Sequence, residues 1–71
     1  MKFELHELFP NKWRWYLVGG NGRIISHSIK VFSRKSTCVR GVKNLAWNLG
    51  FLYKLSSLTQ NKVGTYELCV M

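Results

Sequence analysis

Between Lys2 and Leu8 the side chains alternate. Phe3 and Leu5 fall on one side, and Lys2, Glu4 and His6 on the other. A period of two over this length predicts a half-buried β-strand. Pro10-Asn11 interrupts the pattern and marks a turn. Lys12 to Val18 alternates again, with Trp13, Trp15 and Leu17 on one face and Arg14, Tyr16 and Val18 on the other. Aromatic side chains suit a pleated surface, so this segment predicts a second strand. Trp15 is expected to face the core; Trp13 sits near the strand end, where its face is less constrained. The run Gly19-Gly20-Asn21-Gly22 follows. Asn-Gly between two strand-like runs predicts a type I′ hairpin, because both central residues then need positive φ. Arg23 to Ser28 reads as a third strand carrying Ile24 and Ile25. Ile29 to Phe32 either extends it past a bulge or opens a loop.

The period then changes. Cys38, Val42, Leu45 and Leu49 recur at i, i+4, i+7 and i+11, which is one apolar stripe of a helix. Ser33 is placed to cap its start, since a serine hydroxyl accepts from the free N–H groups of a first turn. Gly41 lies beside the stripe and permits a close approach to the sheet at some cost in helix propensity. Gly50 is a stop signal, with Phe51, Leu52 and Tyr53 able to prolong the helix by a turn. Ser56 to Gly64 is polar and reads as a loop. Thr65 to Met71 alternates once more, with Tyr66, Leu68 and Val70 on one face. The predicted class is α+β: a three-stranded antiparallel sheet packed by one helix, β-β-β-α, with an extra C-terminal strand. That last strand pairs either with the first strand or with a second copy of the chain.

Size narrows the picture. The 71 residues form a single domain over 1–71. A domain of this length buries only about 60% of the surface its unfolded chain exposes. Such scaffolds usually rely on disulfides, a metal or self-association. Cys38 and Cys69 are the two cysteines, and the charged start Lys2-Phe3-Glu4-Leu5-His6 does not resemble a secretory signal. Reduced thiols in a cytoplasmic setting are therefore expected. His6, His27, Cys38 and Cys69 lack the short paired spacings of a zinc site. No run of about 18 apolar residues is present, so no membrane span is expected. Self-association, as a homodimer, is the remaining support.

Charge is the most unusual feature. Lys and Arg number 11 against three acids, for a net charge of +8. The acids are Glu4, Glu7 and Glu67, and every basic residue except Lys2 lies in the carboxylate-free stretch between Leu8 and Tyr66. Such a surface attracts polyanions. On a helical wheel Trp47 falls opposite the apolar stripe, with Ser36, Arg40, Lys43 and Asn44 around it. Arg14 and Tyr16, with Arg23 nearby, mark a second candidate surface on the outer sheet face, where Arg and Tyr can track phosphates and stack on bases.

Catalysis has little support. A nucleophile needs a base, and the base an orienting partner; His6 and His27 have only three carboxylates available in the chain. The glycines at 19, 20 and 22 lack the Lys-Ser/Thr and helix of a phosphate-binding loop. No catalytic residue, cofactor, metal or small-molecule substrate is assigned.

The order of these elements resembles the YegP-like family of small domains of unknown function. The residues carrying the resemblance are Lys2-Phe3-Glu4-Leu5, Trp13-Arg14-Trp15-Tyr16-Leu17, Asn21-Gly22-Arg23-Ile24-Ile25-Ser26, Ser28, and Ser33-Arg34-Lys35-Ser36-Thr37-Cys38-Val39-Arg40-Gly41-Val42. The likeness covers about residues 2–48. It implies three antiparallel strands packed by one helix, and a unit used twice, in tandem or as a homodimer. It implies no activity and no catalytic residues. Residues 50–71 stand as a C-terminal extension outside the family pattern, and Phe32 represents an aromatic usual near the loop before the helix.

Two functions follow as expectations. The first is a non-enzymatic basic binding protein that engages nucleic acid or another polyanion through Arg14, Tyr16, Arg23, Arg34, Lys35, Arg40, Lys43 and Trp47. The second is a protein-interaction module, such as an accessory protein or a virus-encoded inhibitor in the host cytoplasm, anchored by Trp47 and the Leu49–Tyr53 run on an acidic protein.

Overall fold

The computed structural model describes residues 1–70. Five strands and one helix occur in the order β1 (Lys2–Phe9), β2 (Lys12–Val18), β3 (Ile24–His27), α1 (Lys35–Leu49), a short 3-10 turn (Leu52–Lys54), β4 (Thr59–Lys62) and β5 (Thr65–Cys69). The strands form one antiparallel sheet in the order β3-β2-β1-β5-β4. Helix α1 crosses one face of this sheet, over β1 and β2.

The sheet therefore has five strands rather than the three plus one C-terminal strand that the sequence led us to expect. The added strand is β4, in the stretch read as a loop. Thr59-Gln60-Asn61-Lys62 is exposed along its whole length. An outer strand with both faces in water carries no hydrophobic period, so nothing in its composition signals it. It is held by backbone pairing to β5, by the turn at Gly64 (φ 76°), and by Asn61 Nδ2 donating to Glu67 Oε2 at 2.8 Å. The fate of the C-terminal strand is also settled for the described residues. It pairs with β1 of the same chain, with Phe3 opposite Leu68 and Leu5 opposite Tyr66. Residues beyond Gly50 thus complete the sheet; Met71 lies outside the described residues.

Register explains the core. Phe3 faces Leu17 and Leu68 across its two neighbours, and Leu5 faces Trp15 and Tyr66. These side chains share one face and meet Cys38 and Val42 from the helix. Phe3 and Leu5 are fully buried. The Phe3 ring meets Trp15 edge-on at 5.8 Å. Trp13 is buried as well, 5.9 Å from the ring of Tyr66. The outer face alternates as expected, with Lys2, Glu4, His6, Arg14, Tyr16 and Glu67 only partly covered.

Three local expectations need correction. The β2–β3 turn is not type I′: of its residues only Gly22 has positive φ, at 81°. Gly22 donates to the Gly19 carbonyl and Gly19 donates to that of Arg23, the pattern of a turn closed by a left-handed glycine bulge. The helix begins one residue later than Ser33 would set, with Arg34 at the cap position and no side-chain cap bond. The buried helix positions are Cys38, Val42 and Ala46; Leu45 is half-buried and Leu49, at the open end, is exposed.

Gly41 does sit at a close approach. A Cβ there would lie 3.0 Å from Cζ of Phe32. Phe32 is bridged to Trp13 by a reciprocal pair of backbone bonds at 2.7 and 2.8 Å. Gly41→Leu is expected to displace Phe32, loosen this bridge and lower stability by about 1–3 kcal/mol. Chemical denaturation of the two proteins measures it, and an unchanged midpoint would show the contact to be soft.

Candidate functional site

The helix C-terminus builds the site. Gly50 adopts φ 80°, ψ 15°, the left-handed conformation that ends helices cheaply because glycine has no Cβ. Its N–H donates to the Trp47 carbonyl at 3.1 Å, and Phe51 N–H donates to that of Ala46 at 3.0 Å. This pair of bonds is the Schellman arrangement. It reverses the chain, sends Phe51 back against Phe3 at 6.2 Å, and stands Leu52 and Tyr53 beside Trp47. The result is a shallow cleft of about 360 Å³ lined by Trp47, Gly50, Leu52 and Tyr53. Trp47 is 71% exposed and Tyr53 80%. A second cleft shares Leu52 and adds Lys43, Leu55, Ser56 and Ser57.

Arg40, Lys43 and Trp47 stand at i, i+3 and i+7 on the solvent side of α1, so they share one face of it. Lys54 adds a cation beside the cleft, with Nζ 6.0 Å from the Tyr53 ring centre. This neighbourhood contains no carboxylate of its own chain segment, because residues 9–66 have none.

Two of the three carboxylates, Glu4 and Glu67, are engaged elsewhere. On the outer sheet face Lys2 Nζ lies 3.3 Å from Glu4 and 3.1 Å from Glu67, and His6 Nε2 lies 3.1 Å from Glu4. These are the ion pairs among the described residues, and none includes a cation of the helix face. Burial works against the charged form of Glu4, but the bonds from His6 and Lys2 outweigh it, so its pKa falls below the ordinary 4.5. The Asn61 hydrogen bond, with Lys2 behind it, lowers that of Glu67.

The expected site residues thus divide. Arg40, Lys43 and Trp47 are brought together. Arg34 is exposed at the start of the same helix. Lys35 is half-buried, its ammonium 4.2 Å above the Tyr66 ring, a cation–π contact that ties it to the sheet. Arg14 and Tyr16 lie on the opposite face of the sheet from α1. There Tyr16 sits between His6 at 5.3 Å and His27 at 6.3 Å, and Arg14 lines another shallow cleft with Leu8, Phe9, Lys12 and Val31. Arg23 is exposed beside the β2–β3 turn. One flat ligand cannot cover both faces. Lys54 was missed as a site residue, and Tyr53 entered only as the end of the Leu49–Tyr53 run; an aromatic-Lys pair just past a glycine stop was the available signal.

Neither cysteine is in this site. Cys38 and Cys69 are free thiols on opposite faces of the sheet. Burial pushes the Cys38 thiol up to about 11, so it stays protonated and unreactive. Among the described residues no group of His, Cys, Asp and Glu is arranged to hold a metal, and no helix is long and apolar enough to cross a membrane.

Comparison with protein-family models, with curated proteins and with solved structures finds no match to this chain.

The ionic cluster predicts acid sensitivity. A carboxyl whose folded pKa is depressed stabilises the fold above its unfolded pKa, and that contribution fades as pH falls through the folded value. For Glu4 and Glu67 the loss starts near 4.5 and continues below it. Thermal melts from pH 6 to pH 2 are expected to show a falling Tm, with a smaller fall in Glu4→Gln/Glu67→Gln. Parallel curves would show that the cluster contributes nothing.

Proposed function

We propose that this chain is a non-enzymatic binding protein that engages nucleic acid, or another polyanion, through the helix face. The observation that carries the reading is the placement of Arg40, Lys43 and an exposed Trp47 on one stripe of a carboxylate-free layer. Glu4 and Glu67 are paired with Lys2 on the outer sheet face, away from that stripe. Cations on a helix face release counterions when they meet phosphates, and an adjacent aromatic adds stacking. Lys54 adds a cation beside Tyr53, and Arg34 is exposed at the other end of the helix. Arg14 and Tyr16 sit on the far face and take no part in this contact.

A labelled oligonucleotide is expected to bind at low salt and to dissociate as salt rises. Arg40→Ala and Lys43→Ala should each weaken binding and reduce the slope of log affinity against log salt by about 1. Absence of binding in low salt, or an affinity indifferent to salt, overturns the reading.

The mostly apolar walls of the Trp47 cleft favour a second reading, an acidic protein partner anchored there. Its mark is a stoichiometric complex that survives high salt and is lost in Trp47→Ala.

The reading includes a homodimer. Of the two sheet edges, β4 is polar throughout, while β3 carries Ile24 and Ile25, each 60% exposed, beside Ser26 and His27. An exposed apolar edge strand is a template for pairing with another strand. A second β3 laid antiparallel would cover the isoleucines and join two sheets. Light scattering is expected to give twice the chain mass for the native protein and one chain mass for Ile25→Lys. A native monomer at all concentrations removes the dimer.

A further inference from the structure

The helix-face cleft has properties that a general polyanion does not require. Two aromatic rings, Trp47 and Tyr53, line it with most of their surface in water. Neither ring stacks on another aromatic ring among the described residues. Gly50 lines the cleft with them, and its missing side chain leaves open space: a Cβ there would meet nothing within 4 Å. Leu52 completes an apolar lining with few hydrogen-bonding groups. Phosphates or sulfates gain nothing from such walls, since burying a charge against apolar surface is costly. A flat, uncharged, π-faced group gains both stacking and burial.

The cations set the direction of approach. At 1.5 Å per residue, Lys43 lies about 6 Å and Arg40 about 10 Å before Trp47 along the helix axis. A phosphate backbone running along this stripe delivers its pendant groups to the cleft. Resting on the nucleic-acid reading above, we infer that the cleft seats an unpaired nucleobase between Trp47 and Tyr53, so that the ligand is a single strand. In a duplex the π-faces are already stacked, and extruding a base costs a few kcal/mol. The scarcity of polar lining makes the seat tolerant of base identity, as stacking platforms are.

The test uses the full chain and three probes at one salt concentration: a 15-mer of thymidylate, a 15-base-pair duplex, and heparin, which has charge but no bases. Trp13 is buried and Trp15 half-buried, so Trp47 is the indole that a docking base reaches first. The thymidylate strand is expected to bind at least ten-fold more tightly than the duplex and to quench tryptophan emission. Trp47→Ala and Tyr53→Ala should each weaken single-strand binding by about 5- to 100-fold, the range of stacking on one base. Both should weaken binding of the thymidylate strand far more than that of heparin, and Trp47→Phe should recover most of the loss. Equal binding of all three probes, or a single-strand preference that Trp47→Ala does not touch, overturns the base seat while leaving polyanion binding in place. Failure of all three probes to bind overturns both.

Discussion

Strand β1 pairs on both sides, and the fold depends on that. It takes β2 from the next segment of chain and β5 from the far end. Phe3 and Leu5 are consequently surrounded by Leu17, Trp15, Leu68 and Tyr66 in the sheet plane and by Cys38 and Val42 above. Among the described residues, Phe3 and Leu5 belong to one buried cluster, and a chain this short can hold little more. The long-range closure of β1 on β5 does what a disulfide does in other small domains, and the two cysteines stay unbridged on opposite sides of the sheet. A central strand flanked on both sides is also why the molecule has only two edges to protect. One is guarded by polar β4; the other, β3, keeps its isoleucines in water.

The same strands organise the charge. Glu4 and Glu67 are drawn together because β1 and β5 place them opposite each other on the outer face, with Lys2 between. Each exposed pair is worth little alone. Its larger effect is on what remains. With Glu4 and Glu67 paired to Lys2 on the outer face, the helix layer carries its cations with no carboxylate in its own segment of chain. Net charge alone would not require this. An even scatter of the same residues would be soluble and featureless.

How much of this was legible follows from where each signal resides. β1, β2, the C-terminal strand and the helix were legible because each presents an apolar row to the core, and rows have periods. Gly50 was legible because a left-handed stop needs glycine. β4 was not, because Thr59-Gln60-Asn61-Lys62 is a strand by partnership with β5 and has no buried row of its own. The turn type was missed for a related reason. Asn21-Gly22 suits type I′, but the turn closes with a left-handed Gly22 and the register shifts once more opposite Leu17 and Val18, and register is a property of two strands. Within the site, Arg40, Lys43 and Trp47 came from the helical wheel. Tyr53 and Lys54 did not, since their place depends on the reversal after Gly50, and a periodic reading ends where the helix does.

That reversal also separates the core from the cleft. Phe51 turns inward to Phe3 while its neighbours Leu52 and Tyr53 turn to the cleft, so three consecutive residues serve two purposes. Trp47, Arg40, Lys43 and Tyr53 are all exposed, and none belongs to the buried cluster around Phe3 and Leu5. Exposed positions of this kind contribute little to stability. Keeping Trp47 in water is unfavourable by comparison with burying it, and the fold draws no packing from it in return. Other apolar side chains are also left in water, Phe9, Ile29 and Val63 among them, but Trp47 is the one that stands on a helix stripe with two cations and lines a cleft.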